Sequence, residues 1–102
     1  MSGIPEPGRE RDLAIARRIM DWHPINAGSL PHFSTDDTAA LSVLAAMEAR
    51  GYGWEIAGEV GKLRYAKFYR LPDHPEYCRD ADAETLADAI TWAALAALEG
   101  EQ

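Results

Sequence analysis

Apolar positions recur along this chain at two periods. Between Arg9 and Trp22, Leu13, Ala16 and Met20, joined by Ile15 and Ile19, place an apolar side opposite Arg17, Arg18 and Asp21, which predicts a first helix. Ala40, Val43, Leu44 and Met47 repeat at helical spacing, so a second helix is predicted from about Asp36 to Arg50, with Gly51 as its left-handed stop. From Tyr52 to Leu71 the residues become aromatic and β-favouring, broken at Glu59 to Lys62 beside Gly58 and Gly61, and this predicts a β-hairpin. On its second strand Leu63, Tyr65, Lys67 and Tyr69 share one face, and Arg64, Ala66, Phe68 and Arg70 the other. Both faces carry apolar bulk, so helices are expected on both. A last helix opens near Thr85 and Asp88 and closes at Gly100, with Leu86, Ile90, Ala93, Ala94 and Ala97 as its main stripe. Trp92, Leu95 and Leu98 extend its apolar surface further round, so this helix either lies centrally or meets a second subunit. Self-association through these three residues is expected.

The segments between are punctuated by proline and short polar residues. Residues 1–8, with Pro5 and Pro7, read as a flexible lead to a single domain over 9–100. His23 to His32 is a loop. "PDHPEYCRDADAE" is a second polar connection, kept out of helix by Pro72 and Pro75. A two-stranded sheet would be marginal, and a strand around Leu30 to Phe33 is expected to widen it. In "FSTDDTAALSVLAAM" the capping residues outnumber what one helix needs: Ser34 or Thr35 can accept a first-turn N–H, while Asp36 and Asp37 suit the positive helix end. The expected fold is α/β (α+β), a small three-layer α/β/α sandwich in the order helix, helix, hairpin, helix.

Charge narrows the partners. Seventeen acidic against ten basic side chains give a formal charge of −7, a field that repels phosphate backbones and anionic membranes. General DNA binding and membrane association are therefore not expected. Cys78 stands alone and cannot form an intrachain disulfide, and "MSGIPEPGRERD" lacks the apolar segment of a secretion signal, so a cytoplasmic location is expected.

The run "IARRIMDW", then "FSTDDTAALSVLAAM", a glycine-rich hairpin and "ETLADAITWAALAAL" resembles the phage ABA sandwich domain, a group of small phage and prophage proteins. The likeness spans about Leu13 to Leu98, and its recurrent Met, Trp and Ser-Thr-Asp helix start are matched by Met20, Trp22, Ser34, Thr35 and Asp36. Asp21 stands where the family often has glycine, and Phe33 where it often has proline. The resemblance implies a three-layer α/β/α domain and a phage context. It brings no catalytic residues with it.

Candidate chemistry is sparse. His23, His32, His74 and Cys78 contain one ligand-like spacing, His74 with Cys78, but no second pair to complete a zinc site, and neither a metal nor another cofactor is expected. The chain carries no GxGxxG, GxxxxGK[ST] or GxSxG motif. "KLRYAKFYR" is the exception, with four basic residues interleaved among Tyr65, Phe68 and Tyr69, a mixture that can stack on a base while neutralising a phosphate. Arg64, Tyr65, Lys67, Tyr69 and Arg70, with Trp22 as a further stacking surface, are the candidate ligand residues. The function expected is stoichiometric binding: a phage accessory protein that sequesters a small nucleotide or blocks a host defence protein. An assembly role in the phage particle is the alternative, and a small hydrolase stands third.

Overall fold

The computed structural model describes residues 4–22, 30–58, 61–70 and 74–100, of which residues 74–78 and 100 by backbone alone. The elements run α1 (Arg9–Arg18), α2 (Asp37–Ala49), β1 (Tyr52–Ala57), β2 (Arg64–Arg70), β3 (His74–Ala83) and α3 (Leu86–Gly100). The strands form one antiparallel sheet in the order β1-β2-β3. The mixed α/β class and the small antiparallel sheet are those the sequence led one to expect.

The third strand is β3, within the segment expected to be a connection. Residues 30–33 form no strand. Leu30 and Phe33 are instead buried in the core. Proline cannot donate to a ladder and is confined to strand starts and sheet edges, and β3 meets both conditions, being an edge strand with Pro75 second in it.

Register decides which side of the sheet is buried. Tyr52, Trp54 and Ile56 of β1 stand opposite Arg70, Phe68 and Ala66 of β2, and Ala66 stands opposite Ala81 of β3. On this face Tyr52, Ala66 and Phe68 are buried, and the Tyr52 hydroxyl donates to the Ala97 carbonyl on α3 at 3.5 Å. On the other face Glu55, Ala57, Asp80 and Asp82 are exposed and Tyr65, Lys67 and Tyr69 half-buried. α3 packs on β2 and β3, α2 on α3 and β1, and α1 on α3. Helices were expected on both faces, in an α/β/α order; among the described residues they gather on one face, and the layers run sheet, α3, then α1 beyond it, because the apolar bulk on the other face is tyrosine that stays half-buried among exposed acids.

This order explains the all-round apolar character of the last helix. Ile90, Thr91, Ala93, Ala94 and Leu95 are fully buried, and Leu98 is 8% exposed. The helix lies centrally, and Leu95 and Leu98, expected as a subunit contact, are used inside the protomer. Small alanines let α3 approach its neighbours closely on several sides.

The surplus polar residues before α2 turn out to serve three helices. Asp36 is the N-cap of α2, its carboxylate accepting the Thr38 N–H at 3.0 Å. Asp37 reaches across to α3, accepting the Ala87 N–H at 2.8 Å. Ser34 is not a cap: fully buried, it donates through Oγ to Asp12 Oδ1 at 2.6 Å and receives the Gly8 N–H at 2.8 Å. Thr35 is exposed and caps nothing by its side chain. Residues 4–8 form neither helix nor strand and are tied down. Pro5 carbonyl accepts Arg11 Nε at 2.7 Å, and Gly8 holds φ 147°, a backbone that favours glycine.

Candidate functional site

The candidate site is the sheet face that no described helix covers. Strand alternation sends Tyr65, Lys67 and Tyr69 of β2 to that side, and pairing aligns them with their neighbours in rows. One row reads Glu55, Lys67, Asp80; the next reads Ala57, Tyr65, Asp82; and Tyr69 stands opposite Gly53. A methyl group added at Gly53 would meet the Tyr69 ring at 2.5 Å, so the glycine lets that ring lie flat across β1. The Lys67 ammonium sits 5.9 Å from the Tyr69 ring centroid, at cation–π range.

These rows fix the electrostatics. Among the described residues Lys67 is the cation of the face, and it stands between two carboxylates on the flanking strands. A phosphate placed beside it would also meet Glu55 and Asp80, which weakens the attraction a lone lysine would supply. What the face offers is two tyrosines with hydroxyl tips, one lysine and a border of carboxylates. Tyrosine is enriched in the contact surfaces of proteins, whose rims are polar and whose cores are depleted in Lys, Glu and Asp.

The other basic candidates lie elsewhere. Arg64 and Arg70 point to the helix side, at opposite ends of β2, about 20 Å apart by strand rise. Arg70 lies 5.6 Å from the Tyr52 ring centroid, and Arg64 donates to the Lys62 carbonyl at 2.9 Å. The structure therefore brings Tyr65, Lys67 and Tyr69 together and separates them from both arginines. Trp22 follows α1, which packs on α3 away from the open face; its exposure is 36%. His32 contacts Arg9 through Nδ1 at 3.0 Å. His23 lies outside the described residues, as do the side chains of His74 and Cys78. Among the described residues no three His, Cys, Asp or Glu side chains form a metal-holding group, and no helix is long and apolar enough to cross a membrane.

Two features were missed in the sequence. Asp80 and Asp82 border the face because β3 exists, and the alternation in "RDADA" was the signal for it. Arg11, 3% exposed, bonds Asp88 at 2.5 Å and Thr91 Oγ1 at 3.4 Å, clasping α1 to α3. A charged residue in the apolar periodicity of the first helix gave no sign of that partner.

Comparison with solved structures finds the same architecture in a crystal structure of a phage protein from Bacillus cereus ATCC 14579, with a TM-score of 0.73 and 20% identity. The match covers 95% of this chain and 96% of that one. At this identity the likeness is one of fold. No protein-family model and no curated protein matches the chain.

Proposed function

We propose that this chain is a phage or prophage accessory protein of the ABA sandwich kind, working by stoichiometric binding of a protein partner on the open face of its sheet. The observation that carries the reading is the row Glu55, Lys67, Asp80 beside Tyr65 and Tyr69, a mixed-charge tyrosine surface on the side of the sheet away from the helices. The fold likeness to a phage protein supports the context, as do Met20, Trp22 and the Ser34 to Asp36 run. A further support is Asp21: it holds φ 53°, the left-handed backbone that suits the glycine often found there in the family.

Of the two occupants expected from the sequence, the face favours a protein over a nucleotide, because its lysine is bracketed by acids. A host defence protein blocked during infection is the partner proposed. Native mass spectrometry of the protein from infected cells tests this. The expected result is a complex of fixed stoichiometry that disappears in Tyr65→Ala/Lys67→Ala with the fold intact. An unchanged complex in that variant, or a partner chemically altered by substoichiometric protein, would overturn it.

A further inference from the structure

The two edges of the sheet differ. β3 carries the devices that keep an edge from pairing with other chains: Pro75, an irregular register opposite Phe68 to Arg70, and the charges of Arg79, Asp80 and Asp82. β1, the opposite edge, reads YGWEIA and has none of these apart from Glu55. Among the described residues β2 is its sole strand neighbour. On the helix side the apolar surface runs out to that edge. Phe68 and Ala66 are fully buried, whereas Trp54 and Ile56, opposite them in register, are half-buried, and Leu41 of α2 is 47% exposed. The Trp54 indole N–H donates to Glu48 Oε1 at 2.5 Å, so the side of α2 that carries Glu48 and, two turns earlier, Leu41 lies toward β1.

We propose that β1 takes up an extended segment of the partner protein as a fourth strand, and that this segment carries a basic residue flanked by apolar ones. β1 already holds such a sequence on its inner side, where Ala66, Lys67 and Phe68 stand opposite Ile56, Glu55 and Trp54. The outer edge presents the same three side chains. A cation beside Glu55 continues the alternating row Glu55, Lys67, Asp80, and apolar residues on either side of it extend the rows Phe68–Trp54 and Ala66–Ile56. Backbone pairing supplies affinity and these rows supply selectivity. A second copy of the chain fits less well. Pairing β1 with itself so that like faces match leaves Glu55 opposite Gly53, Glu55 or Ala57, none of them a cation. On α3, Leu95 and Leu98 are buried in the protomer and Trp92 is half-buried, so that helix offers a second copy no apolar stripe. The inference rests on the reading that the chain binds a protein, and names the segment of that protein that meets the sheet edge beside the open face.

The test titrates the blocked peptide Thr-Val-Lys-Val-Thr and its counterpart Thr-Val-Glu-Val-Thr into the isotope-labelled full chain at low salt, observed by NMR, with sedimentation velocity of the chain alone. The lysine peptide is expected to give saturable shifts at the amides of Gly53 to Ala57. It is expected to bind about tenfold tighter than the glutamate peptide, the factor that exchanging an attractive for a repulsive cross-strand charge is worth. Glu55→Gln changes an exposed side chain and is expected to abolish that preference with the wild-type spectrum kept elsewhere. Equal affinity of the two peptides for the wild-type chain, a preference that survives Glu55→Gln, or shifts at β3 with β1 unchanged would overturn the proposal. A dimer of the free chain that the lysine peptide disperses would overturn the choice of partner. Absence of peptide binding with survival of the complex from infected cells overturns this inference and leaves the binding reading standing.

Discussion

Ser34 and Thr35 are adjacent hydroxyl residues with opposite fates. The Ser34 Oγ lies in a sealed network with Asp12 and Gly8, whose carbonyl it meets at 3.1 Å, while Thr35 faces solvent. Removing a buried hydroxyl leaves partners unsatisfied, so Ser34→Ala is expected to cost about 1 to 3 kcal/mol. Thr35→Ala should stay within about 0.5 kcal/mol, as exposed positions do, and Asp36→Ala should cost about 1 kcal/mol as the lost cap. Chemical denaturation of the three variants checks the order; a loss at Thr35 as large as at Ser34 would contradict it. Asp21 gives a second prediction. Left-handed backbone costs a side-chain-bearing residue about 1 to 2 kcal/mol, most for a β-branched one, so Asp21→Gly should be neutral or stabilising in thermal melts and Asp21→Val destabilising.

Elements were legible in the sequence wherever burial followed a strong period. The stripe Ala40, Val43, Leu44 and Met47 is buried as its spacing required, and Leu44→Ala is expected to cost about 2 to 5 kcal/mol by equilibrium unfolding. β3 was not legible by composition, because a proline and four charged residues hid a strand whose only local signal was the alternation of Asp80 and Asp82 with Ala81 and Ala83. Edge strands tolerate such sequences where central strands do not. Asp37 was read as dipole compensation for its own helix, and it caps a helix fifty positions away in sequence. No spacing rule reports a bond between elements. That bond predicts that Asp37→Ala weakens amide protection at Ala87 and costs about 1 kcal/mol, with the start of α2 unaffected.

For the whole molecule, placing α3 between the sheet and α1 leaves the other side of the sheet without a described helix, and that side is the proposed binding face. The candidate strand was visible in the sequence as "KLRYAKFYR", but the partition of its residues was not, since the positions of Glu55 and Asp80 beside Lys67 depend on pairing across three strands. Hydrogen–deuterium exchange of the protein alone and in the complex recovered from infected cells tests the central claim most directly. The account predicts new protection in β2 over 64–70 and in β3 over 80–83, with α2 exchanging as it does in the free protein. Protection confined to the helices, with the sheet unchanged, would contradict it.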